Sequence, residues 1–268
     1  MSQSIRKPCR RVESGRLAYY MVAADASFWD QHWRPLQVTH DRFRWAERGE
    51  LPWIEEVVTQ YLPREGRILE AGCGLGQYVI ALRARGFDTE GIEWAGMTVE
   101  VVKKIYPDLP IRQGDVISLD VPDGYYSGYI SLGVVEHRQK GPEPFLVEAH
   151  RVLCADGVAL VSVPYFNLLR RLKAAFGMYR GKPRGMEFYQ YAFTAEDFSR
   201  YLESADFKVV DWMPYGGVKG LKDEIPLLAW LLKQRGIGWR LARLFRSWRW
   251  AKKFYGHMIL FICRKALE

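Results

Sequence analysis

The sequence predicts an α/β fold with a doubly wound, mostly parallel sheet and helices on both faces. The first observation is a strand, a glycine turn and a helix in succession over Arg67–Tyr78. The second is the alternation of strand and helix patterns, with short links, between Glu65 and Pro164. The third is that 49% of the 268 residues are hydrophobic, which suffices for a large core.

Short apolar runs bounded by turn residues predict the strands. In the first strand the apolar pair is Ile68 and Leu69, and in the fourth it is Tyr129 and Ile130. The predicted strands are Arg67–Ala71, Asp88–Glu93, Leu109–Gln113, a fourth within Tyr125–Val135, Val158–Val163, Phe207–Trp212 and His257–Arg264.

Apolar residues at helical spacing predict the helices. Gly86 and Pro107 end the two helices that precede strands two and three, and a capping box at Thr194–Asp197 opens a later helix. The predicted helices are Trp53–Tyr61, Gln77–Arg85, Thr98–Ile105, Phe145–Leu153 and Ala195–Ala205. Residues 1–26 show no clear pattern, so we expect a loose start.

The glycine turn places Gly72, Gly74 and Gly76 at alternate positions. Glycine allows positive φ and close approach of a ligand, and the next helix offers free N–H groups. The spacing is not the Gly-x-Gly-x-x-Gly of dinucleotide sites, because Gln77 stands where the third glycine would be. A phosphate-binding loop ending in Gly-Lys-Ser/Thr is also absent. Glu70 at the strand end would repel a pyrophosphate and suits a cation.

The pattern Glu-x-Gly-x-Gly-x-Gly from Glu70 to Gly76 resembles motif I of the class I S-adenosylmethionine-dependent methyltransferases. The resemblance implies that Glu70 lies near the amino group of the methionine moiety and that the glycines approach the adenosine. Cys73 lies inside the turn, so we predict that it belongs to the cofactor site. Its expected role is that of a small packing residue rather than a nucleophile. The resemblance covers Glu65–Pro164 and implies a Rossmann-like, seven-stranded sheet whose last strand is antiparallel.

Glu93 ends the second predicted strand, where a carboxylate can accept hydrogen bonds from both ribose hydroxyls. The resemblance makes it the motif II acid; the alternative is a solvated loop residue. Trp94 is expected to pack on adenine. The Gly114–Asp115 pair resembles motif III, which implies that Asp115 accepts the adenine amino group while a neighbouring N–H, assigned to Val116, meets a ring nitrogen. The predicted cofactor site also includes Leu132.

His137 follows the fourth strand, where the methyl group should project, so we predict it as the catalytic base. The alternative is that His137 only hydrogen-bonds the backbone or the cofactor. His32, in the aromatic cluster Phe28–Trp33, and Tyr165, just past strand five, are predicted to contact the substrate. That cluster either lines a pocket or packs on the sheet.

The sequence departs from the family pattern in two places. Ser127 and Gly128 stand where many members have an Asp early in strand four, and Asp156 replaces the first glycine of the "Arg-x-Leu-x-x-Gly-Gly" turn. The pair of Glu136 and His137 matches a common family pattern.

Length and composition fit one α/β domain with additions. We predict an N-terminal cap or substrate region over 1–62 and a methyltransferase domain over 63–268, with an insertion at about 213–255. The four cysteines form no CxxC pair, which argues against a zinc site and fits a reducing compartment. A secretory signal and a transmembrane run of ~20 apolar residues are not apparent. We expect a cytoplasmic protein, peripheral to a membrane at most.

The net charge of +8 is concentrated in two late segments. Residues 219–253 carry ten Lys/Arg and two acids, and residues 170–184 carry six Lys/Arg and no acid. The second segment follows strand five and is expected near the mouth of the site. Within the first, Leu241–Trp248 reads as a basic amphipathic helix. It either contacts an anionic membrane through residues 226–253, closes over a lipophilic or anionic substrate, or packs on the domain with solvated arginines.

The predicted function is S-adenosylmethionine-dependent methyl transfer, most simply O-methylation of a small molecule, glycan or lipid-linked acceptor. The alternative is a cofactor-binding module that acts without catalysis at a membrane or in a complex. Nucleic acid is not expected as the substrate, because strand four ends in Ser131–Val134 without the Asn/Asp-Pro-Pro-aromatic motif of enzymes that methylate base amino groups. No RNA-binding module is visible either.

Overall fold

The computed structural model describes residues 8–33, 39–232, 234 and 251–266. The strands are β1 (Cys9–Glu13), β2 (Arg16–Met21), β3 (Arg67–Ala71), β4 (Asp88–Glu93), β5 (Ile111–Gln113), β6 (Tyr126–Leu132), β7 (Leu153–Pro164), β8 (Glu187–Ala192), β9 (Phe207–Tyr215) and β10 (Met258–Lys265). The helices are α1 (Ala26–Trp33), α2 (Arg44–Glu47), α3 (Glu55–Tyr61), α4 (Gln77–Ala84), α5 (Gly96–Ile105), α6 (Glu143–Val152), α7 (Leu168–Ala175), α8 (Ala195–Ser204), α9 (Gly217–Glu224), α10 (Pro226–Leu231) and α11 (Lys252–Tyr255).

The main sheet has the strand order β5-β4-β3-β6-β7-β10-β9 within the described part of the chain. The strands from β5 to β7 are parallel, whereas β10 runs antiparallel to both β7 and β9. The chain first builds outward from β3 to β5 and then returns to build outward from β6. The carboxyl ends of β3 and β6 therefore flank a topological switch point, where open α/β sheets bind ligands. The predicted doubly wound sheet and antiparallel last strand are confirmed.

Both faces of the main sheet are buried. Side chains alternate across a strand, so sequence neighbours pack on opposite faces. Leu69 and Tyr129 belong to one hydrophobic cluster, whereas Ile68 and Ile130 belong to the other. Burial on both faces explains the continuous apolar runs that predicted these strands.

The expected loose start is wrong for the described residues before 27. β1 and β2 form an antiparallel hairpin, and β2 pairs with β8 in a second, three-stranded sheet. Ser14 and Gly15 have φ values of 47° and 81°, as a two-residue hairpin turn requires. This Ser-Gly pair was the available sequence signal, and the partner β8 lies far along the chain.

Several predicted boundaries are shifted. β5 begins at Ile111 rather than Leu109, because Pro110 has no N–H to donate and only its carbonyl accepts, from the Gly91 N–H at 2.9 Å. β7 begins at Leu153 rather than Val158, and Asp156 within it takes φ 59°. α3 begins at Glu55 rather than Trp53, whose φ is 60°. The remaining predicted ends either coincide with the observed ends, as for both ends of β3 and β4, or differ by one to three residues.

Between β9 and β10 the described elements are α9, α10 and α11. β9 itself reaches Tyr215, so it includes the first three residues of the predicted insertion. The amphipathic helix predicted over Leu241–Trp248 lies outside the described residues.

A buried ion cluster joins the N-terminal hairpin to α7 and α9. Glu224, with a side chain 0% exposed, accepts from Arg10 at 2.7 Å and from Arg170 at 3.0 Å. Lys173 donates to the same carboxylate at 2.7 Å, and the Tyr179 hydroxyl donates at 2.5 Å. Burial alone would raise the pKa of Glu224, but these donors hold it below its ordinary value. The cluster fixes the position of α7 against α9.

We predict that Glu224→Gln lowers the free energy of unfolding by about 3 kcal/mol, because it leaves the buried Arg170 guanidinium with only the more distant Asp223 carboxylate, at 4.0 Å. The control is Glu50→Gln, which breaks an exposed pair with Arg48 at the same 2.7 Å. It should leave the free energy of unfolding nearly unchanged, because solvent screens an exposed pair. Urea unfolding of both variants measures the difference, and equal losses would contradict a structural role for the cluster.

Candidate active site

The turn between β3 and α4 is built from glycines with left-handed backbone. Gly72, Gly74 and Gly76 have φ values of 76°, 53° and 68°. Side chains are excluded as well: a Cβ on Gly72 would lie 2.5 Å from Val134 Cγ2, and one on Gly74 would lie 3.0 Å from Trp33 Cζ2. Glycine is therefore required here by both φ and space.

Glu93, at the end of β4, holds this turn in place. Its Oε2 accepts a hydrogen bond from the Gly74 N–H at 2.7 Å, and its Oε1 accepts from the Ala95 N–H at 2.9 Å. Burial raises the pKa of the carboxyl, and these backbone donors oppose the shift. Each carboxylate oxygen keeps acceptor capacity for a further donor.

Glu70, at the end of β3, is fully buried behind the turn. Its Oε2 accepts from the Val79 N–H in the first turn of α4 at 3.1 Å. Burial raises the pKa of Glu70 to about 8, so the carboxyl is protonated at neutral pH. A cation bound nearby would favour its ionised form.

A cavity of about 360 Å³ opens at the carboxyl ends of β3, β4 and β6. This volume is in the range of small-molecule sites. Eight of the predicted residues line it, namely Gly72, Gly74, Glu93, Trp94, Asp115, Val116, Leu132 and His137. Eight others line it without having been predicted individually, namely Ala24, Trp29, Trp33, Ile117, Gly133, Val134, Arg138 and Phe145. Trp29 and Trp33 belong to the Phe28–Trp33 cluster, for which lining a pocket was one of the two expectations.

Glu70, Cys73 and Gly76 lie outside the wall of this cavity. Cys73 is buried, and its Sγ would lie 2.7 Å from a Cβ on Gly91, so it packs against β4. Burial raises the pKa of its thiol well above the ordinary value, which disfavours a nucleophilic thiolate. Gly76 caps α4 and packs against Leu109.

His137 lies in the 3₁₀ turn Val135–His137 that follows β6. Its Nδ1 is 2.7 Å from the carbonyl oxygen of Tyr189 on β8, which can only accept, so Nδ1 carries a proton. Burial lowers the pKa of His137 to about 4. The ring is therefore neutral at pH 7, and Nε2 keeps a free lone pair. Trp29 packs edge-on against the ring at 5.1 Å.

Glu136, which was not predicted as a site residue, is buried beside His137. Its Oε1 lies 3.7 Å from His137 Nε2, and its Oε2 has no hydrogen-bond partner among the described residues. Burial raises the pKa of Glu136 to about 8, so near neutral pH both side chains are uncharged and the contact is not an ion pair.

The two predicted substrate residues do not line the cavity. His32 stacks on Phe28 and meets Trp33 edge-on in the α1 cluster. It therefore lies behind Trp33, which lines the cavity. Tyr165 is buried beside β8, with a bridge to Phe193. The aromatic cluster of α1 does line the cavity through Trp29 and Trp33.

Helix α1 is docked on helix α5 by a side-chain hydrogen bond. Asp30 Oδ1 accepts from the Thr98 N–H of α5 at 3.2 Å. This bond brings α1 over the cavity from a distant part of the chain. Local sequence patterns did not reveal the contact, because it depends on how two helices pack.

The chain matches the model of a family described as "Methyltransferase domain" over residues 40–211, more than half of its length. It belongs to the class I S-adenosylmethionine-dependent methyltransferases. A Mycolicibacterium smegmatis protein named as a probable S-adenosylmethionine-dependent methyltransferase is 32% identical over 159 residues. That match spans 58% of this methyltransferase and 58% of the relative, which is less than two thirds of the relative's length.

Solved structures share the fold at low identity. The cyclase SpnF superposes with a TM-score of 0.56 and 17% identity, over 92% of this chain and 99% of that one. A SAM-dependent methyltransferase of Methanosarcina mazei superposes with a TM-score of 0.55 and 15% identity, over 79% of this chain and 98% of that one. At these identities the likeness shows the fold alone.

The wall of the cavity fits S-adenosylmethionine, the cofactor of this family. Glu93 offers free carboxylate lone pairs for ribose hydroxyls, and Gly72 and Gly74 leave space where side chains would close the wall. Trp94 and Asp115 lie on the same wall, as expected for residues beside adenine. Glu70 would supply a buried negative charge behind the turn when a cation is bound.

Two negative findings concern the described residues only. Within the ranges that the structure describes, no group of three or more His, Cys, Asp or Glu side chains is arranged to hold a metal ion. None of the helices described has the length and hydrophobicity needed to cross a bilayer.

We predict that Glu93→Gln weakens binding of S-adenosylhomocysteine at least about tenfold. An amide has only one acceptor oxygen, so its NH₂ must face the N–H of either Gly74 or Ala95, and one hydrogen bond to a charged group is lost. Isothermal titration calorimetry measures the affinity. Glu100→Gln, an exposed neutralisation on α5, is the control and should bind within twofold of the wild type. Unchanged affinity in Glu93→Gln would exclude this role.

Proposed function

We propose that this methyltransferase transfers the methyl group of S-adenosylmethionine to a hydroxyl group of its acceptor, with His137 as the general base. The observation that carries the proposal is the contact between His137 Nδ1 and the Tyr189 carbonyl oxygen at 2.7 Å. It sets the tautomer whose Nε2 can accept a proton, on a side chain that lines the cavity.

The bound cofactor supplies an activated methyl group on a positively charged sulfonium. The chain's own residues then have two tasks. The first is to hold the acceptor oxygen in line with the transferred carbon, ~3–3.5 Å away. The rings of Trp29, Trp33 and Phe145 surround the space in which an acceptor can be held and exclude water from it.

The second task is removal of the hydroxyl proton. His137 Nε2 accepts it, and the ring becomes an imidazolium hydrogen-bonded to Tyr189. Glu136, with Oε1 at 3.7 Å from Nε2, stabilises that positive charge when its own carboxyl is ionised. An acceptor amine, in contrast, needs only to be neutral, so this pair favours a hydroxyl acceptor.

The acceptor is proposed as a small molecule, a glycan or a lipid-linked alcohol. The cavity supports this class by its size and by its aromatic wall, which suits apolar rings and the C–H faces of sugars.

We predict that His137→Gln lowers kcat by ~10²–10⁴-fold while S-adenosylhomocysteine still binds within about threefold.

Glu136 ionises as the pH rises through about 8, so wild-type kcat should increase across that pH. Glu136→Gln should lose the increase, because an amide does not titrate. Formation of S-adenosylhomocysteine is measured with a panel of phenols, monosaccharides and prenyl alcohols, and the pH profile with the best acceptor.

A matched panel of primary and secondary amines is the control. Methylation of amines but not alcohols, or full activity of His137→Gln, would contradict the proposed base. Cofactor binding without turnover on any acceptor would instead support a non-catalytic binding module.

A further inference from the structure

Helix α7 presents an apolar stripe to solvent. Leu168, Leu172 and Phe176 follow one another at intervals of four residues and are 46%, 44% and 79% exposed. Met178, just beyond the helix, is 59% exposed. Residues four apart lie on one face of a helix, so these side chains form a continuous ridge. A contiguous row of exposed apolar side chains is typical of an interaction surface.

The opposite side of α7 is anchored. Arg170 is buried on Glu224, and Asn167 caps the helix and donates to the Gly256 carbonyl oxygen at 2.7 Å. Leu169 packs against the small core of Leu221, Ala251 and Tyr255. The helix therefore cannot turn its apolar ridge inward without breaking the buried ion cluster.

Helix α10 adds two exposed side chains beside the same small core. Its inner residue Leu228 packs on that core, as Leu169 of α7 does. On its outer side Leu227 is 68% exposed and Trp230 is 58% exposed. A tryptophan and a phenylalanine at the outer surface are typical of proteins that insert into a lipid interface.

The charged residues in α7 and in the segment directly after it are all positive. Residues 168–184 contain six Lys/Arg and no acid. Arg170 and Lys173 both pair with Glu224, whereas the described ion pairs include no partner for Arg171, Arg180, Lys182 or Arg184. An apolar ridge with unpaired cations is complementary to an anionic surface with an apolar interior.

We propose that the surface formed by Leu168, Leu172, Phe176, Met178, Leu227 and Trp230, with its flanking cations, binds anionic phospholipid membranes. The apolar side chains enter the headgroup region, and the four unpaired cations attract the lipid phosphates. Each cation near such a surface raises affinity by about fivefold. The α7 part of the face lies in the connection from β7 to β8, and β8 carries the Tyr189 carbonyl that contacts His137.

This surface differs from the stretch predicted from the sequence. Within the predicted stretch 226–253, helix α10 contributes Leu227 and Trp230 to the surface. Residues 235–250 lie outside the described ranges. The ridge on α7 was not predicted, because its leucines are separated by cations that read as a polar segment.

The test is co-sedimentation of the full chain with vesicles, without cofactor or acceptor, so its outcome does not depend on the proposed reaction. Vesicles of phosphatidylcholine alone are compared with phosphatidylcholine mixed with phosphatidylglycerol. We expect binding to the mixed vesicles and at least about tenfold weaker binding to phosphatidylcholine alone. High salt should weaken binding to the mixed vesicles, because it screens the attraction between the cations and the lipid phosphates.

Leu172→Glu/Phe176→Glu should reduce binding to the mixed vesicles at least tenfold. Its control is Val101→Glu/Val147→Glu, which adds the same charge at residues 36% and 59% exposed elsewhere. Lys182→Glu/Arg184→Glu should also reduce binding, whereas Lys103→Glu/Lys104→Glu on α5 should not. Circular dichroism and S-adenosylhomocysteine titration check that each variant is folded.

No wild-type binding to mixed vesicles would overturn the proposal, as would equal losses in ridge and control variants. Light scattering adds a further outcome. If the wild type is a dimer that Leu172→Glu/Phe176→Glu converts to a monomer, without an effect on vesicle binding, the ridge is a self-association surface and the membrane proposal is wrong.

Discussion

The site depends on the two backbone hydrogen bonds that the Glu93 carboxylate accepts. The carboxylate receives the Gly74 N–H from the turn after β3 and the Ala95 N–H from the end of its own strand. One side chain thus ties the ends of two neighbouring parallel strands together. The glycines can pass close to a ligand only because this bond, together with the Ile92 carbonyl that accepts from Gly72 and Cys73, fixes their unusual backbone.

Around this contact the protein buries carboxyls whose charge is costly. Burial raises the pKa of both Glu70 and Glu136 to about 8. Each of them favours the folded state most at low pH, where it stays protonated, and that stabilisation is lost as the pH rises through about 8. A site that keeps neutral acids in a dry environment is suited to a cationic ligand, because the ligand's charge offsets the cost of ionising them.

Much of the fold and of the cofactor wall was predictable, because the signals are local. Gly72, Gly74 and Glu93 lie at strand ends that apolar runs identify, and parallel topology brings such ends to one edge. Trp29 and Trp33 reach the cavity, and the Tyr189 carbonyl reaches His137, from elements far away in the chain, and no local pattern specifies that packing. The same holds for Glu70, whose place on a strand end was predictable, whereas the inward direction of its carboxyl was not.

The most direct test of the account is a crystal structure of the chain with S-adenosylhomocysteine bound. We expect both ribose hydroxyl oxygens within ~3.2 Å of the Glu93 carboxylate, with the adenine between Trp94 and Asp115. The Gly74 N–H should still donate to Glu93 in that complex. A ligand bound outside this cavity, or a ribose with no contact to Glu93, would contradict it.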